Sequence, residues 1–240
     1  AAACLASFAA PAATEGEVIV PANNNIANRA SLQRGAKYFV NYCLGCHSAQ
    51  YVRYNKLAEG LGLTEQQLID NLMFTGEQPF DTMSNAMRDE DAARWFGVAP
   101  PDLSLMARAR GTDYIFSFLR SFYADPSTAT GSNNLVLPNT AMPHVLWELQ
   151  GVRQPVYEGG ESSANPDEAA EIVGFEVVRE GTLSEAEYDQ VARDIVNFLD
   201  YIAEPMQQER QALGIKVIGF LLVFLLIAYL LKKEIWKDVE

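Results

Sequence analysis

Cys43-Leu44-Gly45-Cys46-His47 is the stretch that decides how the rest of this 240-residue chain is read. Two cysteines three positions apart project from one side of a helical turn. Their sulfurs can therefore form thioethers with the two vinyl groups of a single haem. The imidazole of His47 follows at once and can reach the iron from the same side. The pattern is that of c-type haem attachment, and one copy means one haem. Other readings of the pair lack context. A structural zinc site wants two more Cys or His ligands, and the remaining sequence offers only Cys4 and His144. A thioredoxin-like pair wants a βαβ neighbourhood, and a disulfide between such close cysteines is strained.

A haem held by His47 needs a second axial ligand from elsewhere. The candidates are Met73, Met83, Met87, Met106, Met142, Met206 and His144. Met206 lies next to a long apolar stretch at the C-terminal end. Met73 and Met106 fit apolar faces, where methionine commonly fills core. Met83 and Met87 stand in a polar, charged stretch. Met142 sits in Pro138-Asn139-Thr140-Ala141-Met142-Pro143, where flanking prolines stiffen the loop. On residue pattern alone Met142 is favoured, with His144 second. A Met/His pair closes both axial positions and raises the potential, which suits electron transfer rather than oxygen chemistry.

The two ends of the chain bear on where that chemistry takes place. Residues 217–231 (VIGFLLVFLLIAYLL) contain no charge and no proline. With residues 213–216 the run reaches about the 20 residues needed to cross a bilayer, and Lys216 can snorkel to the headgroups from its end. Lys232, Lys233 and Lys237 follow, with Trp236 as an interfacial anchor. That excess of cations marks the short tail as cytoplasmic and the large N-terminal part as exported, periplasmic in a bacterium. Residues 1–13 (AAACLASFAAPAA) resemble the end of a secretory signal peptide or a flexible Ala-rich terminus, and Cys4 within them has no assigned role.

The whole chain carries 18 Lys and Arg against 31 Asp and Glu, a net −13, which argues against a nucleic-acid partner. From Lys216 onward there are four cations and three anions, so the part upstream carries −14. Four helices are predicted there. Residues 31–42 place Leu32, Ala36, Phe39 and Val40 on one face, with Gly35 a bare spot where another helix can approach. Residues 64–74 open on a capping box, Thr64 with Gln67, and residues 113–123 form a third helix. Residues 184–203 open on Ser184 with Glu187, repeat Tyr188, Val191, Ile195, Leu199 and Ile202 at helical spacing, and stop before Pro205. Residues 172–178 read as a short strand and 159–165 as a surface loop.

Beyond these patterns the chain resembles the cytochrome c1 family in its proteobacterial form. The resemblance runs from about Asn28 to the C-terminus. It rests on SLQRGAKYFVNYCLGCHSAQYVRYNKL around the haem motif, APPDLSLMARARGTDYIFSFL from Ala99, AMPHVLWELQG from Ala141, and the single C-terminal anchor. It implies Met142 as the iron ligand opposite His47, Pro101 as a proline packed on the proximal side, Arg110 as a haem-propionate contact and Tyr114 at the haem edge. Some family members carry an extra cysteine pair that staples the domain, and with only Cys4 left over this chain cannot form it.

The fold this implies is mostly α: a cytochrome c-type haem domain with loop insertions, plus one C-terminal transmembrane helix. The loop from Pro138 forms its distal wall, and the helices over 31–42 and 184–203 cross near the haem. The expected division is a leader or flexible terminus over 1–13, a periplasmic haem domain over 14–210, an anchor over 211–232 and a cytoplasmic tail over 233–240. The implied function is that of the electron-transfer subunit of the bc1 complex. It takes one electron from the Rieske iron–sulfur protein, beside cytochrome b in a dimeric complex, and hands it through haem c to a c-type cytochrome. Quinol oxidation takes place on partner subunits, and no residue here acts as nucleophile or general acid. Two alternatives stand beside it. A self-standing membrane-anchored monohaem cytochrome would serve an oxidase, and a periplasmic sensor or haem enzyme would keep an open iron.

Overall fold

A computed structural model describes residues 19–157 and 172–237 of the chain. The expectations on residues 1–13, Cys4, the loop 159–165 and the last three residues lie outside them. The described elements run in the order α1 (Arg29–Tyr38), β1 (Ala49–Arg53), α2 (Tyr54–Leu61), α3 (Glu65–Asn71), β2 (Thr82–Met83), α4 (Asp89–Phe96), α5 (Met106–Arg110) and α6 (Thr112–Arg120). There follow β3 (Phe122–Ala124), β4 (Ser132–Asn134), α7 (Trp147–Gln150), β5 (Gly151–Tyr157), β6 (Ile172–Glu180), α8 (Glu185–Ala203) and α9 (Gln207–Ile235). The strands form three separate antiparallel pairs, β1 with β2, β3 with β4 and β5 with β6.

The crossing of α1 over α8 is the centre of the domain. A Cβ at Gly35 would overlap the Asp194 carbonyl oxygen and come within 2.7 Å of the Phe198 Cβ, so only glycine allows the two backbones this close. Phe39 packs on Phe198 with ring centroids 5.3 Å apart. Leu32, Ala36, Val191, Ile195 and Leu199 are buried in the same cluster. The seam also holds a buried charge. The Asp194 carboxylate accepts from the Ser31 hydroxyl at 2.6 Å and from Arg34 and Gln190, and Asn197 donates to Ser31 at 3.0 Å. Every oxygen of that carboxylate is thereby paired, which is what makes its burial tolerable.

Both predicted capping boxes, Thr64 with Gln67 and Ser184 with Glu187, are formed. Helix boundaries differ in three places. The helix predicted over 31–42 starts at Arg29, capped by Asn28, and after Tyr38 widens into a π-helical turn over Phe39–Cys43, closed by the Leu44 N–H on the Phe39 carbonyl at 2.9 Å. Such a turn re-aims the chain just before a site. The helix predicted over 113–123 ends at Arg120, because the Asn134 amide captures the Phe118 carbonyl at 2.8 Å and residues 122–124 pair with β4 instead. The helix predicted over 64–74 ends at Asn71, whose side chain bonds back to the Gln67 carbonyl. The predicted strand is β6, longer by two residues and paired with β5.

After Glu204 the chain leaves the domain as α9. Its 29 residues would extend about 44 Å at 1.5 Å each, longer than a hydrocarbon core of about 30 Å. The large apolar residues from Leu213 to Leu231 stand exposed. Among the described residues this run stays unburied, and the helix is long and apolar enough to cross a membrane.

Candidate haem site

Cys43, Cys46, His47, Pro101, Arg110, Tyr114 and Met142 all line one cavity of about 470 Å³. These are the seven residues named from motif and resemblance, and they come from four separate stretches of the chain. The π-helical turn delivers Cys43, and the turn after it is closed by the Cys46 and His47 N–H groups, both on the Cys43 carbonyl, at 3.0 and 2.8 Å.

A neighbouring segment grips the motif from outside. His47 Nδ1 lies 2.7 Å from the Pro101 carbonyl oxygen. A carbonyl can only accept, so Nδ1 carries the proton and Nε2 keeps its lone pair for a metal. Burial also pushes the His47 imidazole below its ordinary pKa, which keeps the ring neutral. Further along, the Leu103 N–H donates to the Ser48 carbonyl at 2.8 Å. Asp102 accepts from the Gln50 and Ser104 N–H groups, and the Asn85 amide donates to the Cys46 carbonyl at 2.6 Å. Sequence reasoning missed Asn85, Asp102 and Ser104, because ordinary polar residues in loops carry no spacing signal.

A separate wall is the loop over 138–143, every residue of which lines the cavity. Ile115, Phe118 and Leu119 of α6 and Ile195 and Leu199 of α8 supply apolar sides. Arg110 lies over the Tyr114 ring, 5.6 Å from its centroid, at the mouth.

The residues present fit a covalently attached haem better than a bare metal ion. Burial pushes the Cys43 thiol up to about 12, so in the absence of a metal it stays protonated at neutral pH. Among the described residues no group of three or more His, Cys, Asp or Glu could hold an ion. What the cavity does offer is two thiols, one imidazole lone pair, two thioethers, apolar sides and one guanidinium. That donor set matches a flat, largely apolar macrocycle with acidic substituents. Of the other candidate ligands only Met106 also borders the cavity. His144 turns away from it. Its ring stacks on Phe122 with centroids 4.9 Å apart, and burial together with the Arg153 charge pushes it down to about 4.

The Cytochrome C1 family pattern matches residues 24–239. The chain belongs to the cytochrome c1 family. It is 49% identical to cytochrome c1 of Allochromatium vinosum over 98% of this chain and 96% of that one. It is 42% identical to a protein named ammonia monooxygenase gamma subunit of Nitrosomonas europaea, over 98% and 95%. Identity to cytochrome c1 of Rhodospirillum rubrum is 30%, over 89% and 83%. Cytochrome c1 is the electron-transfer haem subunit of the bc1 complex, and the family implies haem c and a C-terminal membrane anchor.

Proposed function

We propose that this cytochrome c1 family chain passes single electrons from the Rieske iron–sulfur protein to a c-type cytochrome, with its haem domain on the periplasmic side of a bacterial inner membrane. The observation that carries the reading is the convergence of the seven residues on one apolar cavity in a chain that ends in a lipid-facing helix. Haem c, when bound, supplies reversible one-electron chemistry at its iron.

The chain's own residues bind, orient and insulate. Cys43 and Cys46 provide the covalent attachment. His47 is fixed in the right tautomer by the Pro101 carbonyl. Met142, which lines the same cavity, would supply a thioether to the iron. Met106 is the weaker choice, because the segment leading to it is bonded to Ser48 beside His47 and so belongs to the proximal wall. Arg110 offsets propionate charge. Ile115, Phe118, Ile195 and Leu199 exclude water and so favour the ferrous state.

The cavity rim suits a docking partner. Phe96 and Val98 border the cavity, Trp95 beside them is exposed, and Asp89, Glu90 and Asp91 occupy the first turn of the same helix α4. An apolar contact beside an acidic one, within a domain of −14, steers a basic cytochrome and makes the transfer rate fall as salt rises.

Gentle detergent purification tests the whole reading. Mass analysis is expected to find one covalent haem on this chain, with b-type haems and an iron–sulfur protein in the same particle. A particle with haem c alone would favour the self-standing carrier, and rapid carbon monoxide binding by the reduced protein would favour the open-iron reading.

A further inference from the structure

Each residue of the strand β4 bonds to the Met142 loop or to the chain flanking it. β4 consists of Ser132, Asn133 and Asn134, all buried. The Asn134 side-chain Oδ1 accepts from the Val136 and Leu137 N–H groups at 2.9 and 3.2 Å. The Asn133 side-chain Oδ1 accepts from the Asn139 N–H at 2.7 Å. The Ser132 hydroxyl oxygen accepts from the His144 N–H at 3.2 Å. Three neighbouring side chains thus hold backbone N–H groups before and after Met142.

The middle grip is the most constrained. Asn139 has a φ of +59°, a left-handed conformation that asparagine tolerates but that needs holding. The orientation of Asn133 is itself set, because its amide nitrogen donates to Asp125 at 2.9 Å, which leaves the carbonyl oxygen facing the loop. Hydrogen bonds from Ser127 and Asn133 hold the Asp125 carboxyl below its ordinary range, so it accepts as a carboxylate at neutral pH. None of these residues lines the cavity except Asn139.

We infer that Asn133, oriented by Asp125, is a positioning residue that clamps the 138–143 loop so that the Met142 thioether stays on the iron side of the cavity. The inference rests on the reading of Met142 as the second axial ligand. A loop with flanking prolines is stiff but still free to swing as a unit, and a swing would open the iron. A swing would break the Asn139 N–H bond to the buried Asn133 Oδ1, which would keep only its second donor, the Asn134 N–H at 2.9 Å, and the loss of a buried hydrogen bond is costly.

The test uses the full-length, haem-loaded protein in detergent. Its readouts are the near-infrared charge-transfer band of methionine-ligated ferric haem and the fraction of reduced protein that binds carbon monoxide. Met142→Ala is the reference for an open site. Asn133→Ala is expected to weaken the band and raise the carbon monoxide-binding fraction about tenfold, the shift that about 1.4 kcal/mol produces. Asn133→Asp puts a carboxylate against Asp125 and should open the site too. Adding Asp125→Asn restores a donor–acceptor pair in reverse and should close it again.

If Met142→Ala changes neither readout, the ligand assignment fails and the clamp with it. If Met142→Ala opens the site while Asn133→Ala matches the unsubstituted protein, the clamp alone is wrong. If Asn133→Ala yields no haem protein, the Asp pair decides. A closed double variant beside an open Asn133→Asp supports the clamp, and two variants that behave alike overturn it.

Discussion

The two walls of the cavity are built in opposite ways. On the proximal side, the proposed ligand and attachment points, His47, Cys43 and Cys46, lie within five consecutive residues, and the bonds that support them are mostly backbone to backbone or backbone to a short side chain. On the distal side, Met142 stands about 95 residues further along, on a loop whose position is set by the side chains of β4. A wall written into a local motif survives substitution around it. A wall assembled by buried side chains has single points of failure. The redox site is therefore predicted to be rigid where the haem is attached and adjustable where the iron could open.

The largest expected effect comes from the attachment itself. Cys43→Ala combined with Cys46→Ala should abolish covalent haem completely, read as loss of haem stain from the band in a denaturing gel. Haem that stays with the chain under those conditions would refute the proximal assignment. Next is Met142→Ala, which should leave the haem attached yet lower the potential sharply, measured by redox titration, since the thioether that raises it is gone. An unchanged potential would move the second ligand to Met106.

The crossing of α1 over α8, whose Ile195 and Leu199 line the cavity, gives an intermediate effect. Gly35→Val inserts a branched side chain where the Asp194 carbonyl and Phe198 already fill the space. Overpacking of this kind costs about 1–3 kcal/mol and should appear as a lower thermal midpoint with both axial ligands still in place. The smallest effect is expected from Asp102→Ala. It leaves the Gln50 and Ser104 N–H groups without their acceptor, at about 1 kcal/mol for each bond lost. Stability should fall while the charge-transfer band is kept, because His47 is tethered beside the two attachment points. If Asp102→Ala opens the iron as readily as Asn133→Ala, the contrast between the walls is wrong.

How much of this was legible depended on the distance over which each signal acts. Capping boxes at Thr64 and Ser184 span one helical turn, and both are formed. Gly35 announced a close approach, and its partner proved to be the predicted helix at Asp194 and Phe198. The helix over 113–123 was overextended, because the Asn134 amide that ends it lies well outside that window. The same distance hid Asn85, Asp102 and Asn133, whose roles exist only once remote backbone groups stand beside them.

By itself the sequence determined the haem motif, the apolar C-terminal span, the acidic bias and the family, because each is a pattern of contiguous residues or of composition. Tertiary structure alone decided which carbonyl fixes His47 and which methionines reach the cavity. It also decided that His144 points elsewhere and that β4 holds the distal loop. These are matters of distance and direction between residues far apart in the chain. Such relations depend on how α1 crosses α8 and where α6 stops, and packing sets both.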